Sequence, residues 1–425
     1  MQLHIIGLGV AEQAQLSLDA QQALAAADMV IGSERQLQVV DHLLGESPTL
    51  TLPKLSELKA LITSYAKEGM QSVVILASGD PLYYGIGRWF SCQFPDEQLR
   101  FYPAVSSIQA ACHRLGLSLQ DVNVLSLHGR PLEKIRTQLK RNSTLVILTD
   151  KHSTPQVLAQ ECIAAGFEES RLSVCEALGY SHEQVRTFNA PDLVTQETEF
   201  DPLHVTVIRV RGAGGVLPEF PGIPDGNFVT DRPNGSGMLT KREVRLAILS
   251  LMQVSRDDQV WDIGAGCGGV AVELAYWNPD SQIHAIEHHP ERLRCLKANQ
   301  DKFGVVSNLN IVEGRAPAAL ADLPAPDKVF IGGSDGELEA LLAQVWDQLP
   351  DNGVLVASAV TESTKQHLLG FYETRMKQGD SYSQTTQIAV NRGDQLAGHL
   401  VYRPALPVTL FSFRKASVTE DAIDV

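Results

Sequence analysis

The segment Asp262-Ile263-Gly264-Ala265-Gly266-Cys267-Gly268-Gly269 puts one acid and a run of glycines directly after a β-branched stretch and ahead of an apolar helical pattern. Glycines there allow a tight turn and let the backbone approach a ligand closely. Nineteen residues beyond Gly268 the next strand pattern ends on Glu287, where a carboxylate can accept hydrogen bonds from two ribose hydroxyls. The pair predicts a nucleoside cofactor, whereas glycines alone can also make a turn that holds nothing. Gly264, Gly266 and Gly269 satisfy the G-x-G-x-x-G spacing of dinucleotide sites too, which keeps a nicotinamide-dependent oxidoreductase as an alternative. Against it, Asp262 would repel a pyrophosphate at the helix N-terminus. A sulfonium cofactor, with a positive centre and an ammonium group, would be welcomed by the same acid.

A second set of turns lies in the first half. Leu76-Ala77-Ser78-Gly79-Asp80-Pro81-Leu82-Tyr83-Tyr84-Gly85 follows an apolar strand pattern; Gly79 and Pro81 enforce a bend and Asp80 adds a carboxylate. Alone, this reads as a capped strand–helix turn. Three companions also follow strand signals: Gly7-Leu8-Gly9, Pro103-Ala104-Val105-Ser106-Ser107-Ile108-Gln109 and Ser126-Leu127-His128-Gly129-Arg130. His128 beside Arg130 is a candidate base or a structural histidine, and no catalytic residue is assigned.

The elements that must position these turns form an α/β pattern. Leu3–Gly7, Val73–Ala77, Thr144–Leu148 and Val205–Arg209 are near-continuous apolar runs, as expected of strands covered on both faces. Pro155–Ala165 reads as a helix between them. A weak division near Gly116–Asp121 makes two lobes, about 1–117 and 118–211. From 212 to 237 proline and glycine are dense enough to deny helix and sheet pairing, so this stretch is a linker or extended arm, with Val216, Phe220 and Ile223 available to pin it. Residues 238–425 read as a doubly wound sheet. Thr240-x-x-Glu243 fits a capping box, followed by a helical stripe of Val244, Ala247, Ile248, Leu251 and Met252. Strands are expected at Val260–Asp262, Gln282–Ile286, Leu309–Val312, Lys328–Ile331 and Val354–Ala357, with helices at Pro290–Phe303 and Glu362–Tyr372. A closing antiparallel pair is expected at Gln387–Val390 and Val408–Phe413.

Composition narrows the partners. With 35 basic and 50 acidic residues the net charge is 35 − 50 = −15, which argues against nucleic acid but not against a small anion in a local basic cleft. No apolar run approaches the roughly 18 residues of a membrane span, and the N-terminus lacks a basic region before a long apolar one. Cysteines at 92, 112, 162, 175, 267 and 295 make no C-x-x-C pair, and His288-His289 is the only adjacent histidine pair. The expectation is a cytoplasmic protein with no disulfide framework and no metal.

The D-x-G-x-G-x-G form resembles motif I of the class I S-adenosylmethionine-dependent methyltransferases. Together with L-T-K-R-E-V-R from Leu239, A-I-E-H-H-P-E-R, E-G-R-A-P-A-A-L and F-I-G-G-S-D-G-E-L, it resembles the C15-methylating and decarboxylating domain of cobalamin biosynthesis, from about Pro224 to the C-terminus. That resemblance implies cofactor contacts at Thr240, Asp262, Gly264, Ala265, Gly266, Cys267, Gly268, Glu287, Gly314, Arg315 and Ala316. Some relatives carry an acid at the position of Arg315, so no acid catalyst carries over there. Residues 1–211 resemble the tetrapyrrole methylases, whose two α/β lobes hold S-adenosylmethionine in a cleft, and most closely the domain that methylates carbon 5 of the corrin precursor. Here the implied cofactor contacts are Gly79, Asp80, Leu82, Ser106, Ser107 and Leu178. Two departures stand out: Gly7-Leu8-Gly9-Val10-Ala11 replaces the usual G-x-G-P-G, and Pro103-Ala104 replaces P-G.

The two resemblances imply an enzyme that uses S-adenosylmethionine to methylate precorrin-6Y at carbons 5 and 15 and removes carbon dioxide from the carbon-12 acetate, giving precorrin-8. A homo-oligomer is expected on the same ground. A methyltransferase for another small molecule stays open, as does a non-catalytic role for the first half. Because the implied substrate carries many carboxylates, cations should line each cleft: Lys241, Arg242, Arg245 and Arg315 in the second half and Arg130 in the first, each otherwise a solvated surface charge.

Overall fold

The computed structural model describes residues 1–232 and 237–417. The chain divides into two compact units, one of Met1–Leu132 with Gln138–Val216, the other of Glu133–Thr137 with Leu217–Val425.

The first unit opens with five parallel strands: β1 (Gln2–Gly7), β2 (Met29–Gly32), β3 (Thr49–Thr51), β4 (Ser72–Ala77) and β5 (Leu99–Tyr102), in the order β3-β2-β4-β1-β5. Alternate residues of β4 feed opposite cores. Val73 and Ile75 pack with Leu3, Ile5 and Ile62, while Val74 and Leu76 pack with Ile6, Leu24 and Val40. Both faces being covered explains the unbroken apolar runs. A mixed sheet follows, β6 (Asn123–Ser126), β7 (Thr144–Leu148), β8 (Arg171–Glu176), β9 (Gln184–Asn189) and β10 (His204–Arg209), ordered β6-β7-β10-β8-β9 with only β6 and β7 parallel. Ser106 and Gln109 form a reciprocal capping box on the helix Ser107–Leu115, and Gly116 ends it in the left-handed conformation. That helix already belongs to the second sheet, its Ile108, Ala111 and Cys112 packing with Val146, Cys175 and Val207.

The second unit is a seven-stranded sheet built from β11 (Gln259–Ile263), β12 (Gln282–Glu287), β13 (Leu309–Glu313), β14 (Lys328–Ile331), β15 (Val354–Ala359), β16 (Ser381–Ile388) and β19 (Val408–Lys415). Its order is β13-β12-β11-β14-β15-β19-β16, parallel through β15 and antiparallel at β19 and β16. Strand β16 starts well before the expected Gln387, because Ser381–Gln387 is mostly polar at the sheet edge and carries no hydrophobic signal. The hairpin of β17 (Asn391–Leu396) and β18 (His399–Pro404) was not expected at all; none of its residues is buried, so it shows no core-facing period.

Two further expectations change. The helix after Thr240 runs Arg242–Met252 with Lys241 at its N-cap, and no side chain caps it from that position. Instead Asp225, from the preceding segment, accepts the Arg242 amide at 3.0 Å, so the proposed Thr240–Glu243 box is not needed. The segment from 212 is held, but not by its three apolar residues together: Ile223 is 1% exposed whereas Val216 and Phe220 are 43% and 79% exposed. Gly214 donates to the Gly166 carbonyl in the first unit, and Gly222 and Ile223 donate to Glu273 in the second. Residues 233–236 of this segment lie outside the described residues. All six cysteines are free thiols, five of them buried. Among the described residues no helix is long and apolar enough to cross a membrane.

Candidate functional site

A cavity of about 420 Å³ opens at the carboxyl ends of the parallel strands of the second unit. Thr240, Lys241, Gly264, Ala265, Gly266, Glu287, Gly314, Arg315 and Ala316 line it, so most of the residues singled out in sequence converge. Gly264 has φ +74°, and a Cβ there would stand 2.7 Å from the Gly333 amide nitrogen, so only glycine lets the two loops meet.

The loop amides are already engaged. Gly264 and Ala265 both donate to the Ile286 carbonyl, Gly266 to Glu287 Oε2, Cys267 to the Met238 carbonyl and Gly268 to the Ala265 carbonyl. The turn therefore offers shape rather than free amide donors, which is the wrong equipment for a pyrophosphate. Glu287 is the opposite case. It is 3% exposed, and its carboxylate accepts from the amides of Gly266 (2.9 Å), His288 (2.8 Å) and His289 (2.9 Å). A carboxylate has about four acceptor sites, so capacity remains on Oε2 for a ribose hydroxyl, though not the two free oxygens the sequence suggested.

Five predicted residues stand elsewhere. Asp262 is fully enclosed in β11 and does not line the cavity. Burial pushes its carboxyl up to about 7; the Ala271 amide pulls the other way and the Glu287 carboxylate adds to the rise. Neither oxygen makes a hydrogen bond of ordinary geometry. It cannot meet a sulfonium directly; what disfavours a pyrophosphate here is the engaged loop amides, not the Asp262 charge. Cys267 is buried with its Sγ 3.6 Å from Asp231 Oδ1, and Gly268 is the N-cap of the helix Gly269–Trp277 beneath the loop. Arg245 is not a substrate ligand. It is 0% exposed and bound to Glu273 and Asp225 at 2.8 and 2.9 Å. Arg242 lies outside the cavity lining, its guanidinium 3.7 Å from Glu243.

Sequence reasoning missed His288, His289, Arg292 and Asp335, which line the same cavity. His288 Nδ1 lies 3.3 Å from Asp335 Oδ2 and 3.6 Å from Glu287 Oε1. Arg315 donates to the Asp335 carbonyl at 2.9 Å. The sequence signal for two of them is the histidine pair that follows Glu287. Glu287, His288 and His289 do bring one ligand atom each within 4.8 Å of one another, yet both Glu287 oxygens already hold amide protons.

In the first unit, three loops meet at the carboxyl ends of β1, β4 and β5. Gly9 and Gly79 exchange backbone hydrogen bonds, and a Cβ on Gly7 would press on Gly79, Pro81 and Ala104 at 2.7–3.0 Å. Asp80 builds this junction: Oδ1 accepts from the Leu82 and Tyr83 amides and Oδ2 from the Ala104 amide. The Tyr84 hydroxyl reaches the Val124 carbonyl of the second lobe at 3.1 Å. Leu82, Tyr83, Tyr84 and Val105 remain 37–54% exposed beside it. Ser106 is a helix cap and Ser107 the first residue of that helix. The Leu178 side chain is buried against Ile108 and Val205, so only its backbone is available to a ligand. Arg130 is exposed, with Nη1 3.4 Å from the Ser126 carbonyl, and His128 is exposed next to it. Gly129 between them donates to Asp150, whose carboxyl is held well below the usual range by the amides of Gly129, His152 and Ser153.

Comparison with known proteins covers both units. Residues 2–194 match the family model described as Tetrapyrrole (Corrin/Porphyrin) Methylases and residues 232–415 match the Precorrin methyltransferase domain. A precorrin-6Y C(5,15)-methyltransferase [decarboxylating] from Sinorhizobium sp is 36% identical over 97% of this chain and 96% of its own. A probable cobalt-precorrin-6B C(15)-methyltransferase (decarboxylating) from Pyrobaculum calidifontis is 36% identical over 45% of this chain and 95% of its own. A cobalt-precorrin-7 C(5)-methyltransferase from Salmonella typhimurium is 31% identical over 43% of this chain and 88% of its own. Matched along nearly its whole length, the chain belongs to the precorrin-6Y C(5,15)-methyltransferase (decarboxylating) family of S-adenosylmethionine-dependent methyltransferases.

Proposed function

We propose that the chain methylates precorrin-6Y at ring carbons 5 and 15 and decarboxylates the carbon-12 acetate, the first unit working at carbon 5 and the second at carbon 15 and the acetate. The observation that carries this reading is the cavity beside Glu287, where a fixed carboxylate can take a ribose hydroxyl and the amides of Gly264 to Gly268 are all engaged. S-adenosylmethionine supplies an electrophilic methyl group when bound. The chain's own task is to align a substrate carbon that is already nucleophilic with that methyl.

Lys241 and Arg315 line the cavity and are 40% and 58% exposed at their side chains, in place to meet substrate carboxylates. In the first unit, the exposed Leu82, Tyr83, Tyr84 and Val105 give a flat macrocycle an apolar surface, and Arg130 offers a cation. Decarboxylation needs an electron sink, which the substrate's conjugated imine system provides, and a site that strips water from one carboxylate. The same reading has a cytoplasmic homo-oligomer acting on a small molecule, with no nucleic-acid or membrane partner.

The test uses the full chain with precorrin-6Y and S-adenosylmethionine, followed by mass spectrometry. Gly264→Val should leave one methyl gained and no carbon dioxide lost; Gly79→Val should leave one methyl gained with carbon dioxide lost. Two methyls gained by either variant would overturn the division of labour.

A further inference from the structure

This inference rests on the reading of the second unit as the decarboxylating site. When the bond from the carbon-12 CH2 to its carboxylate breaks, carbon dioxide leaves and the electron pair passes into the conjugated ring, making the CH2 an exocyclic enamine carbon. It becomes a methyl group only by taking up one proton. The cavity must therefore hold a proton donor as well as the methyl-transfer machinery.

Ammonium and guanidinium groups are poor donors near neutral pH, and imidazole is the side chain whose ordinary titration lies there. Of the two imidazoles lining the cavity, His288 is the one with carboxylate oxygens close to a ring nitrogen. Its Nδ1 faces Asp335 Oδ2 at 3.3 Å and Glu287 Oε1 at 3.6 Å, and the ring is one-third exposed. The His289 ring lies against it with centroids 4.1 Å apart. Arg315 Nε, 3.8 Å from Asp335 Oδ2, and Arg292 Nη1, 3.9 Å from Glu287 Oε2, complete the charges around it. Among the described residues Nε2 has no hydrogen-bond or ion-pair partner.

We propose that His288 donates this proton through Nε2, with Asp335 as the positioning residue that fixes the ring through Nδ1. In the step the Nε2–H bond breaks, the enamine pair forms the new C–H bond and the ring's imine is restored. The neutral imidazole recovers its proton from water at its exposed edge.

The test uses the full-length enzyme with precorrin-6Y and S-adenosylmethionine in single turnover, read by mass spectrometry. The wild-type enzyme should gain two methyls and lose one carbon dioxide; if it does not, the underlying reading fails before any variant is made. His288→Gln should retain both methyl transfers while the decarboxylated product appears about 100-fold more slowly. Asp335→Asn should show the same split with a smaller factor. Equal decarboxylation rates in wild type and His288→Gln would overturn the proposal. So would joint loss of carbon-15 methylation and S-adenosylhomocysteine binding, which would place His288 in cofactor binding instead.

Discussion

Arg245 donates through Nε to Glu273 Oε1 at 2.8 Å, and neither side chain has any exposed surface. The same guanidinium binds Asp225 and the carbonyls of Thr240 and Ile223, while Glu273 receives the amides of Gly222 and Ile223. Two helices and the segment ahead of the glycine loop are thus tied by one ion pair. Removing one partner strands a buried charge, so Arg245→Ala should destabilise the second unit by about 3–5 kcal/mol. Denaturant unfolding followed by tryptophan fluorescence measures it, since Trp261 and Trp277 lie in this unit. A loss below about 1 kcal/mol would mean the network is replaceable.

Glu287 should dominate nucleoside affinity. Glu287→Ala removes the acceptor of three amides and the one proposed for the ribose, and charged hydrogen bonds of this kind contribute roughly 1.5–3 kcal/mol. S-adenosylhomocysteine binding by calorimetry should weaken about 10- to 100-fold at the second unit's site. An unchanged titration would remove Glu287 from the cofactor site.

Asp262 makes stability depend on pH in an unusual direction. Its carboxyl is pushed up to about 7 in the fold from an ordinary 3.8, so between those values the folded state holds a proton that the unfolded chain has released. This contribution is fully present below pH 3.8, declines as pH rises and is gone above about 7. Asp262→Asn should flatten this slope, and its stability relative to wild type should rise by a few kcal/mol, on the order of 1.4 per pH unit, between about pH 5 and 7. Parallel pH profiles for the two proteins would contradict the assignment.

Lys241 and Arg315 should act on binding alone. Replacing either with alanine should raise KM for the tetrapyrrole several-fold while kcat for carbon-15 methylation holds, because a carboxylate contact remote from the reacting carbon stabilises ground and transition states alike. A fall in kcat at constant KM would assign them to the chemical step.

Asp80 should act on its loop. Asp80→Ala frees the amides of Leu82, Tyr83 and Ala104 together, so carbon-5 methylation should fall at least about 10-fold, on the scale of two to three lost charge-assisted bonds, with carbon-15 methylation unaffected. Retention of both rates would leave the loop self-supporting.

What could be read in the sequence follows from where side chains face. β11, β12 and β14 are buried on both faces, and their apolar runs and the turns after them were legible to within a residue or two. Glu287 was legible because a strand end and a glycine turn define its position. Arg245 was misread because its side of the helix is set by Asp225 and Glu273, whose chain separations of 20 and 28 residues no local pattern reveals. Asp335 was invisible for the same reason: it meets His288 across a loop. The β17–β18 hairpin left no trace, as a ribbon with no buried face has no period to detect.

The Glu287 carboxylate is gripped by backbone amides rather than by side chains. An amide survives any replacement of its residue except proline, so the identities at 288 and 289 can change without loosening the carboxylate. The wall's side-chain chemistry and its backbone grip on Glu287 are therefore separable: a change at 288 alters the first and leaves the second standing.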